Sequence, residues 1–107
     1  MHVIVWEFRP KPGKEREFET AYGPAGDWVR LFRSGPGYLG TELLRALRDP
    51  RRYLTVDRWE SREVYDSFRA TRAADYDALD RRFEGLTESE TELGSFSRAG
   101  PESSGSI

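Results

Sequence analysis

The chain has 107 residues, 36% of them hydrophobic and 34% charged, and its 17 basic and 19 acidic residues leave a net charge of −2. That length fits one domain with a thin core, and the even mixture of charges gives no footprint for nucleic acid or for an anionic membrane. The absence of cysteine excludes a disulfide framework, a thiolate nucleophile and a cysteine metal site, so a cytoplasmic location is the expectation.

The first element, His2 to Arg9 (HVIVWEFR), reads as a strand. Its run from Val3 to Trp6 is apolar without a break, which predicts burial on both faces of a sheet, and it is too short for a signal peptide or a membrane span. Pro10, Pro12 and Gly13 end it, and Lys14 to Tyr22 follows as a helix with Phe18, Ala21 and Tyr22 on one face. After the Gly23, Pro24 and Gly26 break, Asp27 is an expected N-cap for a short helix carrying Trp28, Leu31 and Phe32.

Beyond Gly35-Pro36-Gly37, the stretch Tyr38 to Leu47 fits strand or helix by pattern. The Arg48-Asp49-Pro50-Arg51 break favours a strand, as one arm of a hairpin with Tyr53 to Trp59. Setting Leu44 opposite Val56 would bring Glu42 opposite Arg58 as a cross-strand ion pair. Ser61 then suits the N-cap of a helix with Val64, Tyr65 and Phe68 on its apolar face. A kink between Thr71 and Ala74 leads into a helix bearing Tyr76, Leu79, Phe83 and Leu86, with Gly85 near its end and Thr91 to Arg98 as a last strand. Residues 1–99 are expected to form the domain, and the Gly-, Pro- and Ser-rich stretch 100–107 a disordered tail.

The resulting order, βαββαβ, predicts an α+β, ferredoxin-like fold. Right-handed crossovers give a four-stranded antiparallel sheet ordered four, one, three, two, with all helices on one face. The other face then needs a cover, and a second copy of the same sheet is the simplest one, so a homodimer joined through sheet faces is expected.

The segments YGPAGDW (Tyr22 to Trp28), LFRSGPGYLGTELLR (Leu31 to Arg45) and YLTVDRWESREVYDSF (Tyr53 to Phe68), with the helix around Tyr76, resemble the antibiotic biosynthesis monooxygenase-like domain of the dimeric α+β barrel superfamily. The resemblance implies a dimeric barrel with a pocket between sheet and helices in each protomer. It also implies a cofactor-independent monooxygenase oxidising a small hydrophobic aromatic, phenol- or anthrone-like, with O2 and neither metal nor flavin. By the same resemblance, Trp59 would be a stacking wall and Tyr65 a hydrogen-bond donor to a substrate oxygen. The relatives' pocket asparagine is replaced by Thr55, and their arginine has only Arg81 or Arg82 nearby.

Among the carboxylates, Asp57 and Glu7 sit within otherwise apolar strands, and Asp57 shares a face with Trp59, which makes it the preferred general base. The competing structural role for Asp57 is an ion pair with Arg58 or Arg45. The expected pocket is lined by Trp6, Trp28, Phe32 and Tyr76 along with Trp59 and Tyr65, and aromatic core packing is the plainer role for all of them. His2 is the only histidine, so no metal site and no cofactor are expected. Haem degradation is disfavoured because strand one lacks the asparagine, and the last helix the histidine, that the haem-degrading relatives use. The alternative to an enzyme is a non-catalytic dimeric domain that binds a small hydrophobic ligand or only assembles.

Overall fold

The computed structural model describes residues 1–100, and the tail expected over 100–107 lies, apart from Gly100, outside the described residues. The elements are β1 (His2–Pro10), α1 (Glu15–Tyr22), α2 (Asp27–Phe32), β2 (Tyr38–Arg45), β3 (Tyr53–Trp59), α3 (Arg62–Thr71), α4 (Ala73–Phe83) and β4 (Thr87–Ser97). All pairings are antiparallel and the sheet runs β2-β3-β1-β4. This is the α+β, ferredoxin-like arrangement and strand order that the sequence predicts. Among the described residues, no helix is long and apolar enough to cross a membrane.

β3 alternates with no lapse: Tyr53, Thr55, Asp57 and Trp59 are buried, while Leu54, Val56 and Arg58 are half-buried. The buried set faces the helices, and β1 contributes Ile4 and Phe8 to the same side. Against them pack Phe18, Ala21 and Tyr22 of α1, Trp28 and Phe32 of α2, and Phe68 of α3. The expectation that β1 is covered on both faces is not met in the protomer. Val3 and Val5 face away from the helices, opposite Arg58 and Val56 of β3, and are half-buried. Their apolarity continues across the open face to Leu44 and Phe96, both exposed.

Ser61 caps α3 by accepting a hydrogen bond from the Val64 amide at 3.2 Å. Asp27 is not a cap. Gly26 takes that position, and Asp27 lies within the first turn with its carboxylate paired to Arg30 and Arg82. The expected kink is a break at Arg72, where α3 ends and α4 begins. In the hairpin, Leu44 lies opposite Leu54, not Val56, and Glu42 faces Val56. Glu42 still reaches Arg58, at 2.6 Å, as a diagonal pair. β4 begins at Thr87, earlier than the expected Thr91; its threonines, serines and glutamates are exposed from Glu88 to Glu92, as an edge strand tolerates.

Both edge strands carry a bulge next to a Leu-Gly dipeptide. In β2 the pairing passes from Gly40 opposite Arg58 to Tyr38 opposite Trp59, leaving Leu39 without a counterpart. In β4 it passes from Gly94 opposite Val5 to Glu92 opposite Trp6, leaving out Leu93. Gly40 and Gly94 have φ of 146° and 154°, a conformation that glycine adopts without the penalty a side chain would bring.

The loop between α2 and β2 closes over Trp59, where a Cβ on Gly35 would come within 2.8 Å of Phe68 and 3.1 Å of Trp59. Gly35→Ala is therefore expected to lower stability by about 1–3 kcal/mol through overpacking. Urea unfolding followed by circular dichroism measures this, and an unchanged midpoint would show that the junction has room to spare.

Candidate functional site

A cavity opens between the inner sheet face and the helices, walled by Trp6, Tyr22, Trp28, Phe32 and Tyr76. Thr41, Thr55 and Asp57 line it from β2 and β3, and Asp80 and Glu90 from α4 and β4. Its empty space is about 500 Å³ counting the open mouth, and about 60 Å³ admits the centres of water-sized molecules. That is enough for several waters or for part of a flat ring system.

Of the residues expected at the site, Trp6, Trp28, Phe32, Tyr76 and Asp57 come together around this cavity. Trp59 and Tyr65 are not among its lining residues. Trp59 is fully buried, with Phe68 at 4.9 Å, Tyr38 at 5.2 Å and Phe32 at 5.9 Å between ring centroids. It sits at the end of β3 beneath the α2–β2 loop and α3, so it supports Phe32 from the core side and presents no face to the cavity. Tyr65 packs on Trp59 at 5.4 Å and accepts a hydrogen bond from Arg69 at 3.1 Å. Glu7 is on the open sheet face, paired with Arg52. Arg82 pairs with Asp27 at 3.1 Å.

Asp57 is only 8% exposed, and neither arginine considered as its partner reaches it. Arg58 pairs with Glu42 across the sheet, and Arg45 lies 3.5 Å from Glu19. Its neighbour is Thr41, directly opposite in the register, whose hydroxyl donates to Asp57 Oδ1 at 2.6 Å. Tyr38 Oη lies 2.6 Å from Thr41 Oγ1. Because the threonine proton is directed at the carboxylate, the tyrosine is the donor in that second bond. Asp57 Oδ2 has no hydrogen-bond partner among the described residues.

Burial pushes the Asp57 carboxyl up to about 6, and the bond from Thr41 offsets part of that rise. Tyr22 and Tyr76 are held above the ordinary tyrosine value, chiefly by burial, so both phenols remain protonated and can donate. The Arg69 guanidinium lies 3.7 Å over the Tyr76 ring. No group of three His, Cys, Asp or Glu side chains arranged to hold a metal occurs among the described residues.

Sequence reasoning did not find Tyr38, Thr41, Tyr22, Asp80 or Glu90. Residues 38 and 41 are three apart and would face opposite sides of a regular strand; the bulge at Leu39 turns both inward. Gly40 in an otherwise strand-like stretch was the available signal for it.

The sequence profile described as antibiotic biosynthesis monooxygenase matches residues 1–75, which span β1 to the start of α4 and include Thr41 and Asp57. The chain belongs to the antibiotic biosynthesis monooxygenase family. No curated protein sequence matches it. Among solved structures, a variant of SnoaB from Streptomyces nogalater, a cofactor-independent oxygenase, is 17% identical, with a TM-score of 0.73 over 96% of this chain and 97% of the other. MhuD, in a variant with two manganese protoporphyrin IX bound per active site, is 22% identical, with a TM-score of 0.70 over 97% of this chain and 100% of that one. PA3566 from Pseudomonas aeruginosa is 15% identical, with a TM-score of 0.67 over 92% and 94%. At these identities the likeness establishes the fold that this family member shares with them.

A carboxyl whose folded value is raised binds a proton in the folded chain that the unfolded chain has already lost, so stability falls as pH rises from about 4 to about 6. The rise from the ordinary 3.8 to about 6 corresponds to about 3 kcal/mol once pH exceeds the folded value. Asp57→Asn keeps an acceptor for Thr41 and is expected to remove this slope and to be the more stable form at pH 8. Denaturant titrations of both proteins across this range test it, and parallel curves would show that Asp57 is not desolvated.

Proposed function

We propose that this family member is a cofactor-independent monooxygenase that oxidises a small, hydrophobic, phenol- or anthrone-like substrate with O2. The observation that carries the reading is Asp57: a buried carboxylate with a raised pKa and one free oxygen, lining an aromatic-walled cavity. A flat substrate held between Trp6, Trp28 and Phe32 would give its acidic proton to Asp57 Oδ2. The electron-rich anion left behind reduces O2; for an anthrone, the ring methylene becomes a carbonyl and the second oxygen atom leaves as water with the two hydrogens.

The protonated phenols of Tyr22 and Tyr76 are donors for the developing negative oxygen. Thr41, backed by Tyr38, holds Asp57 Oδ1 and leaves Oδ2 to take the proton. Trp59 and Tyr65 act from behind the wall, Trp59 by fixing Phe32 and Tyr65 by holding Arg69 against Tyr76. That a structural neighbour is a cofactor-independent oxygenase accords with this reading. A haem role finds no support in His2, which packs against Tyr65 at 5.6 Å and does not line the cavity.

Pairing through the open sheet face belongs to the same proposal. Val3, Val5, Val56, Leu44 and Phe96 form an apolar band there, and a second copy laid face to face would cover it. The limited room inside the cavity, enough for several waters or part of a flat ring system, favours a second reading, a dimeric domain that binds a small ligand without turning it over.

Oxygen uptake coupled to product mass, with a panel of anthrones and dihydroxy-aromatics under metal-free conditions, separates the two. Asp57→Asn is expected to lower kcat about 10²–10⁴-fold and Trp59→Phe to have a smaller effect. Uptake no faster than the spontaneous rate across the panel would favour the non-catalytic reading. Sedimentation of wild type against Val5→Lys/Val56→Lys tests the pairing, with a dimer expected to become a monomer.

A further inference from the structure

The lining of the cavity is one-sided in charge. Asp57 stands within it, Asp80 and Glu90 at its exposed mouth, and no lysine, arginine or histidine is among its lining residues. The nearby cations are engaged elsewhere. Arg82 pairs with Asp27, and Arg69 lies behind Tyr76 with its guanidinium on the ring and on the Tyr65 hydroxyl. The two rim carboxylates line the same cavity, Asp80 from α4 and Glu90 from β4. Glu90 is held there by the buried Thr87, whose hydroxyl donates to Glu90 Oε2 at 2.8 Å.

The acidic rim alone would not define a ligand. Two independent features do: the aromatic rings of Trp6, Trp28, Tyr22 and Tyr76 that wall it, and the more than nine-tenths buried Asp57, whose Oδ2 has no partner among the described residues. Aromatic faces and carboxylates both attract positive charge, and both disfavour an anion. Asp80, Glu90 and Tyr76 also lie outside the family-matched span of residues 1–75, so the rim charges belong to the part of the chain that family membership does not specify.

We propose that the cavity selects an aromatic ligand bearing a protonated amine and discriminates against aromatic carboxylates. The ring lies between Trp6, Trp28 and Phe32, a hydrogen-bond donor on it faces Asp57 Oδ2, and the ammonium group sits at the mouth between Asp80 and Glu90. The inference rests on reading this cavity as the ligand site, and narrows the substrate class to amine-substituted aromatics.

Three probes of similar shape, each with a ring hydroxyl for Asp57, separate the contributions: 2-(6-hydroxy-2-naphthyl)ethylamine as cation, 2-(6-hydroxy-2-naphthyl)ethanol as neutral and 6-hydroxy-2-naphthylacetate as anion. Binding to the full chain is measured by calorimetry and by quenching of tryptophan fluorescence near neutral pH. The cation is expected to bind about tenfold more tightly than the anion, with the neutral probe between, as two solvent-exposed rim charges would give. Asp80→Asn/Glu90→Gln is expected to bring cation and anion within about threefold of each other. An anion that binds as well as the cation, selectivity that survives the double substitution, or no binding by any probe would each overturn the proposal. Charge-selective binding without oxygen uptake by any amine-bearing substrate would leave it standing while removing the oxygenase reading.

Discussion

The strict alternation of β3 is the constraint on which the rest of the structure depends. Because Tyr53, Thr55, Asp57 and Trp59 must all face the helices, one strand supplies both ends of the aromatic core and, between them, the only polar part of the inner wall that it could supply. Moving the register by one residue would turn all four outward and bury Leu54, Val56 and Arg58 in their place. The carboxylate is therefore not a surface group that has drifted inward. It is fixed in an apolar setting by the same packing that seals Trp59, and its raised proton affinity follows from that setting.

An aromatic core of this density would ordinarily leave no void. Here α4 contributes no fully buried residue, so Tyr76 leans on Trp28 edge-on at 4.9 Å and the layer above Asp57 stays incomplete. The cavity is what remains where a short, highly charged helix covers a sheet that carries bulky rings. Its mouth takes its charge from Asp80 of α4 and Glu90 of β4, and its interior takes its shape from β1, β2, β3, α1 and α2, closed by Tyr76 of α4.

Much of this was legible in the sequence. Spacing of apolar residues and the glycine-proline breaks identify the elements, and β-branched and aromatic residues mark Tyr53 to Trp59 to the residue. Ser61 is readable as a cap because its chemistry is local. Asp27 is misread because a carboxylate in a first helical turn has the same sequence signature whether it caps or pairs with an arginine one turn on, as it does with Arg30. The hairpin register was set by charge complementarity, which a long arginine satisfies from two adjacent positions, so Glu42 and Arg58 meet in either. Trp59 was placed in the pocket by the family resemblance; its strand position tells which face it takes, but not how far a neighbouring loop closes over it. Tyr38 and Thr41 depend on a single inserted residue, and rim acids on the meeting of α4 with β4; both are tertiary facts.

The paired Leu-Gly bulges bear on how the sheet ends. An edge strand presents a row of free amides and carbonyls that an extended segment from another chain can extend, the first step toward fibrous growth. In β2 and β4, the two edges, that row is interrupted at Leu39 and Leu93, and β4 adds Glu88, Glu90 and Glu92 along its length. Lateral growth by strand addition is thereby impeded on both sides, while the open face of the sheet stays accessible. The local irregularity that aims Tyr38 at Thr41 also keeps the sheet finite.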